Sequence, residues 1–194
     1  MILIGLTGGV GMGKSTAATL LTRRGLPTLD SDVVARELVE PGQPALAEIA
    51  AGFGADMLDA SGRLRREALA TRVFADEAQR RKLEAILHPR IRRTWLAQAE
   101  AWRRADRSHG VVVIPLLYEV DLAKDVDRVV CVACSRCTQR ARLAARGWSP
   151  EEVDRRNRVQ WPIEKKMALA DYVAWSEGSL DVLEAQLDRI LAAC

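Results

Sequence analysis

The sequence predicts an α/β protein built on a parallel sheet, and three observations carry that expectation. A continuous apolar run, Ile2 to Leu6, leads straight into a glycine-rich loop, and runs of this kind belong to strands covered on both faces. Two more such runs, Val111 to Leu117 and Arg128 to Ala133, appear late in the chain. Between the runs the apolar spacing is helical, and strands alternating with helices call for right-handed crossovers.

Taken in order, Ser15 to Arg24 reads as a helix with Ala18, Leu20 and Leu21 on its apolar side, stopped by Gly25-Leu26-Pro27. Thr28-Leu29 is a short second strand ending at Asp30-Ser31-Asp32, where Asp32 is placed to cap a helix from Val33 to Val39. From Pro41 to Arg107 there is no strand signal. Leu64, Ala68, Leu69 and Val73 mark one helix, and Leu83, Ile86 and Leu87 a second. Ile91, Trp95, Ala99 and Trp102 mark a third, entered at Pro89 as a first-turn proline, with both tryptophans in the core. Ser108-His109-Gly110 closes this helical excursion. After the Arg128 strand, a helix from about Thr138 to Arg146 ends at Gly147, and Ser149-Pro150-Glu151-Glu152 opens another. Tyr172-Val173-Ala174 supplies the last strand.

Composition narrows the function. With 194 residues, 48% hydrophobic and 28% charged, the chain is expected to fold as one globular domain without disulfide or metal staples. Lys and Arg exceed Asp and Glu by only 29 to 26, too little to call for nucleic acid. The arginines nevertheless cluster, at 90–107 and again at 136–158, as a solvated helix face or as a surface for ligand phosphates. Met1 to Leu6 is too short for a signal-peptide core and lacks a basic region before it, and no stretch approaches the roughly 18 apolar residues of a membrane helix. A cytoplasmic protein with no membrane partner is expected. Cys131, Cys134 and Cys137 have a spacing superficially like an iron–sulfur run, but Cys131 lies in an apolar strand and the nearby fourth cysteine and its proline are missing.

The chemistry is written at the start of the chain. Gly8-Gly9-Val10-Gly11-Met12-Gly13-Lys14-Ser15 fits the pattern G-x-x-x-x-G-K-[ST] between a strand and a helix, which is the P-loop NTPase arrangement. In it, backbone N–H groups turn inward around phosphate oxygens, Lys14 neutralises the β and γ phosphates, and Ser15 ligates Mg²⁺. Gly11, Met12, Gly13 and Thr16 complete the expected ATP contacts, Met12 at a variable position where the backbone does the work. The dinucleotide fingerprint fails, because its third glycine position holds Lys14 or Thr16. The single asparagine, Asn157, precedes Arg158, so no guanine-reading motif exists, and Asp59-Ala60-Ser61-Gly62 reads as a turn. Asp30 and Asp32 stand where a strand beside the P-loop strand ends, and Asp32 is placed to act as general base toward an acceptor hydroxyl.

The chain resembles dephospho-CoA kinases along nearly its whole length, through Gly5 to Ser15, Asp30-Ser31-Asp32, Leu87-His88-Pro89, Pro115-Leu116-Leu117-Tyr118-Glu119, Gln139 with Arg142 and Arg146, Gln160, and Ala170-Asp171-Tyr172-Val173. The resemblance implies a five-stranded parallel sheet with flanking helices, a helical coenzyme-binding region (about 41–107) and a helical lid (about 135–166) around a core of about 1–40, 108–134 and 167–194. It implies ATP-dependent phosphorylation of the ribose 3′-hydroxyl of dephospho-CoA. Asp32, Lys14, Arg142 and Arg146 would be catalytic, the two arginines from the lid; Asp32, His88, Leu117 and Glu119 would meet the substrate. For His88, fixing a helix entry is the simpler role. Ser176 stands where the family usually has asparagine, which bears on the adenine-side contacts.

Overall fold

Strands β1 (Ile2–Gly8), β2 (Thr28–Asp30), β3 (His109–Val113), β4 (Arg128–Ala133) and β5 (Tyr172–Trp175) form a single sheet in the order β2-β3-β1-β4-β5. β1 runs parallel to both its neighbours, with Ile4 beside Val111 on one side and Leu6 beside Val130 on the other, and β5 is parallel to β4. β1 is therefore central, and β2, next in the sequence, lies not beside it as expected but at the sheet edge, with β3 returning between the two before β4 and β5 extend the other side. In open α/β sheets the carboxyl end of such a strand is where ligands bind.

Nine α-helices complete the computed structural model, which describes residues 1–194: α1 (Lys14–Arg23), α2 (Ser31–Glu37), α3 (Pro44–Phe53), α4 (Arg66–Ala75), α5 (Glu77–Arg104), α6 (Arg136–Ala144), α7 (Pro150–Arg158), α8 (Ile163–Leu169) and α9 (Leu180–Ala193). They divide between two compact units, one comprising Met1–Leu29 with Ala101–Cys194, the other Asp30–Glu100.

In the first unit, alternate strand residues Ile4, Leu6, Val111, Val113, Val130, Val132 and Ala174 pack on Ala17, Leu20 and Leu21 of α1 and on Leu183, Leu187 and Ile190 of α9. The period of two puts Cys131 on the opposite side of the sheet, and α8 packs against β1 and β4. Fully burying one leucine of this set is worth about 1.5–3 kcal/mol, so the continuous apolar runs suffice to hold the sheet between helical layers. Helix ends follow the expected chemistry. Gly25 takes φ +81°, and Gly25 N–H to Thr22 O (2.9 Å) with Leu26 N–H to Leu21 O (3.2 Å) closes α1. Ser135, Ser149 and Ser179 cap α6, α7 and α9 through their hydroxyl oxygens.

The second unit has its own core of Val39, Leu46, Ile49, Phe53, Met57, Leu69 and Val73, with Leu83, Ile86 and Leu87 packed against it. Asp59 shapes the expected turn, its Oδ1 accepting from Ser61 N–H (2.8 Å), Ser61 Oγ (2.7 Å) and Arg63 N–H (2.9 Å).

The structure corrects the sequence reading in several places. Pro89 does not open a helix: α5 runs through it for 28 residues. An interior proline costs about 3 kcal/mol, but apolar burial on both sides of it, at Ile86 and Leu87 before and at the fully buried Trp95 and Ala99 after, outweighs that. His88 thus lies within a helix rather than at an entry. The helix after β2 starts at Ser31, and its cap is Asp30, whose Oδ1 accepts from Asp32 N–H at 2.8 Å; Asp32 itself sits in the first turn. β3 ends at Val113 rather than Leu117, because Pro115 has no N–H to continue a ladder and the chain turns there, Leu117 N–H bonding back to Ile114 O. Three helices escaped the sequence reading: α3, α8 and α9. No helix is long and apolar enough to cross a membrane.

Candidate functional site

The glycine loop leaves the carboxyl end of β1 and enters α1. Two of its glycines are dictated by geometry. Gly8 has φ +141°, and a Cβ there would stand 2.1 Å from the Val132 carbonyl oxygen; Gly13, the N-cap of α1 at φ +98°, would meet Ser176 Cβ at 2.9 Å. Lys14 is the first residue of α1, and its ammonium donates to the carbonyl oxygens of Gly8 and Gly9, each at 2.8 Å. Ser15 and Thr16 follow, exposed, on the same first turn. A free helix N-terminus with a lysine ammonium folded over the loop is a phosphate cradle. Met12 contributes more than backbone. Its side chain is buried and fills the space beside Gly9, where an added Cβ would lie 2.7 Å from the Met12 sulfur.

Arg142 of α6 and Arg146 in the turn after it share the wall of a cavity of about 360 Å³ with Gly11, Gly13 and Thr16. That size falls within the range of small-molecule sites. The opposite wall is Gly178, Ser179, Leu180 and Leu183, from the loop after β5 and the start of α9. Arg142 is fixed there. Its Nη1 donates to Ser176 Oγ (2.8 Å) and its Nη2 to Ser176 O (2.6 Å), while Ser176 Oγ donates onward to Met12 O (2.8 Å). Ser176, buried, thus joins an α6 arginine to the cradle. Next to it, the Ser135 and Thr138 side chains, followed by the Ser135 N–H that donates to Glu177 at 2.8 Å, hold the Glu177 carboxyl at about 2, well below the usual range.

Of the other expected site residues, Asp32 is exposed on the first turn of α2, and His88 is half-buried within α5. Leu117 is fully buried, its Cδ2 against Gly5, so its side chain presents nothing to a ligand and instead supports the turn that carries Glu119. Cys131 is buried in β4 with its thiol pushed up to about 11 by desolvation, and no group of three or more His, Cys, Asp or Glu is gathered to hold a metal.

The dephospho-CoA kinase family model matches residues 2–181. The chain belongs to the dephospho-CoA kinase family. A dephospho-CoA kinase from Anaeromyxobacter dehalogenans is 48% identical over 195 residues, covering 99% of this chain and 92% of that protein. Among solved structures, TT1252 from Thermus thermophilus superposes with a TM-score of 0.83 at 37% identity, over 99% of this chain and 97% of its own. Dephospho-CoA kinase from Campylobacter jejuni, at 21% identity and a TM-score of 0.73 over 98% and 95% of the two chains, shares the fold.

Two stretches by which the chain resembles dephospho-CoA kinases acquire physical meaning in the structure. In Ala170-Asp171-Tyr172-Val173, Asp171 Oδ2 accepts from Val129 N–H at 2.7 Å and so ties the start of β4 to β5. In Pro115 to Glu119, the Pro115 carbonyl and the Glu119 carboxylate both receive Lys166. Lys166 is fully buried on α8; its Nζ lies 2.8 Å from Pro115 O and 2.7 Å from Glu119 Oε1. Glu119 Oε1 also accepts from Trp161 N–H at 2.7 Å, and Thr7, the β1 residue just before the cradle, donates to the same Pro115 carbonyl at 3.2 Å. Nothing in the local sequence around Lys166 flags it, since its partners lie far away in the chain.

Removing one member of a buried ion pair leaves the other charge uncompensated, at a cost of about 3–5 kcal/mol. Lys166→Met is therefore expected to lower Tm by about 6–20 °C in a chain of this length. Adding Glu119→Met should recover most of that loss. Thermal unfolding followed by circular dichroism reads both variants, and an unchanged Tm in Lys166→Met would show that the pair does not hold α8 in place.

Proposed function

We propose that this chain transfers the γ-phosphoryl group of ATP to the ribose 3′-hydroxyl of dephospho-CoA, giving coenzyme A, with the triphosphate in the Gly8–Ser15 cradle. The observation that carries the reading is the Lys14 ammonium at the Gly8 and Gly9 carbonyls, on a loop that shares one cavity with Arg142 and Arg146. The base and ribose of ATP take that cavity, against Leu180 and Leu183. Mg²⁺ suits the donor available there: Ser15 offers an exposed hydroxyl oxygen, and hard oxygen ligands from phosphate and water complete such a sphere. When bound, the ion neutralises charge building on the transferring group.

The chain's own residues divide the remaining work. Asp32 takes the proton from the 3′-hydroxyl as that oxygen bonds to the γ phosphorus and the bond to the β–γ bridging oxygen breaks, releasing ADP. Lys14, Arg142 and Arg146 balance negative charge spread over the phosphoryl oxygens, Arg146 from its exposed place in the turn after α6. Glu119, held by Lys166, with His88, orients the acceptor. The helical region, about 41–107, binds the coenzyme, and the segment about 135–166 is the lid over ATP. The protein works in the cytoplasm on small molecules, with neither nucleic acid nor membrane as partner.

A coupled assay of ADP release with ATP, Mg²⁺ and dephospho-CoA, run against a panel of nucleosides and other hydroxyl acceptors, tests the acceptor. Turnover is expected with dephospho-CoA alone. Comparable turnover with a nucleoside would overturn the assignment.

A further inference from the structure

Val10 stands at the tip of the phosphate cradle, and both of its peptide groups are held by glutamines from the far end of the sequence. Gln160 Oε1 accepts from Val10 N–H at 3.2 Å, and Gln139 Nε2 donates to Val10 O at 2.8 Å. Gln139 is almost wholly buried, and its amide is oriented in turn by Asn157, whose Oδ1 accepts from Gln139 Nε2 at 3.1 Å. Gln139 sits on α6, Asn157 on the last turn of α7, and Gln160 just beyond it. One turn after Gln139, α6 carries Arg142, which reaches the cradle a second time through Ser176 and the Met12 carbonyl.

Burying a side-chain amide is unfavourable unless its hydrogen bonds are made, and here its donor goes to the backbone of a glycine-rich loop. Such a loop has few side-chain contacts to hold it and high conformational entropy to lose when phosphates order it. A loop ordered in advance loses less on binding.

We propose that Gln139 and Gln160 are positioning residues for phosphoryl transfer. By fixing the Val10 peptide from both sides they pre-shape the cradle for the triphosphate, and they tie its shape to α7 and to α6, the helix whose Arg142 lines the cavity. The proposal rests on the reading that this loop holds the phosphates of ATP.

The test uses Gln160→Met and Gln139→Met in the full chain, since methionine keeps side-chain length and removes the amide. ATP binding is measured by calorimetry, KM for ATP and for dephospho-CoA by steady-state kinetics, and Val10 amide exchange by hydrogen–deuterium exchange. Each variant is expected to weaken ATP binding about tenfold, the size of losing one to two net hydrogen bonds, with KM for dephospho-CoA unchanged. Gln160→Met should also speed exchange at the Val10 amide. A merely structural role would lower Tm and move both KM values together, and that outcome overturns the proposal, as does unaltered ATP affinity in both variants. Gln160 is only partly buried, so if Gln139→Met fails to fold the Gln160 variant decides. Wild-type protein that bound no ATP would remove the underlying reading and the proposal together. Wild-type binding with equal binding by the variants removes the proposal alone.

Discussion

Lys14→Met is expected to abolish most phosphoryl transfer, lowering kcat by at least about 10²-fold, the loss that follows removal of one preorganised charge donor from an active site. The ammonium that makes the difference is already at the loop, 2.8 Å from the Gly8 and Gly9 carbonyls, where α1 begins. It needs little rearrangement to meet charge as that charge develops, and preorganisation of this kind is what makes a donor catalytic rather than merely attractive. Methionine keeps the stem and its helix propensity, so the first turn of α1 should survive. The substitution removes the positive charge as well as the two bonds to the loop. ATP affinity should therefore fall too, and single-turnover measurements at saturating ATP separate that loss from the loss in the chemical step. Turnover within a factor of about three of wild type would mean that Lys14 does not meet the transferring group.

What was legible in the sequence was whatever is written contiguously. The cradle needs Gly8, Gly13, Lys14 and Ser15 at fixed spacing on one short segment, and the structure shows why: a Cβ at Gly8 or Gly13 would run into Val132 or Ser176. The strands were legible because their neighbours on both faces are apolar, which leaves an uninterrupted run. The Val111 to Leu117 run reads as strand to its end for the same reason, yet β3 stops at Val113. From Pro115 on, its apolar character belongs to a buried turn, with Leu117 against Gly5 of β1.

The contacts that support the site are not legible even where the residues themselves stand out, because each joins groups remote in sequence. Gln139 and Gln160 meet Val10 across 129 and 150 positions, and Lys166 meets Pro115 across 51. A lysine within Ile163–Leu169 looks like any surface lysine until the fold places it at zero exposure. For Met12, expected to act through its backbone, and for Ser176, notable in the sequence only as a departure from the family's asparagine, burial at the cradle appears only in the structure. Pro89 failed in the opposite sense: its local signal was strong, and tertiary burial along α5 overrode it.

Asp30 caps α2 through the Asp32 N–H, so the Asp32 carboxylate is not the helix cap, and substituting it leaves that bond intact. Asp32→Asn should lower kcat by about 10²–10⁴-fold, the usual contribution of a positioned general base, while the dissociation constant for ATP stays near wild type. Its effect on stability should be slight, about 0.3–1 kcal/mol from the lost first-turn charge. Asp30→Ala should show the reverse emphasis, losing a cap worth about 0.5–2 kcal/mol. The two variants together separate capping from catalysis at neighbouring carboxylates. Rapid-quench measurement of the phosphoryl-transfer step, paired with calorimetric ATP binding, reads both quantities directly. If Asp32→Asn transferred phosphate at the wild-type rate, another group would have to accept the hydroxyl proton, or the transition state would be loose enough to need no base before the new bond has formed.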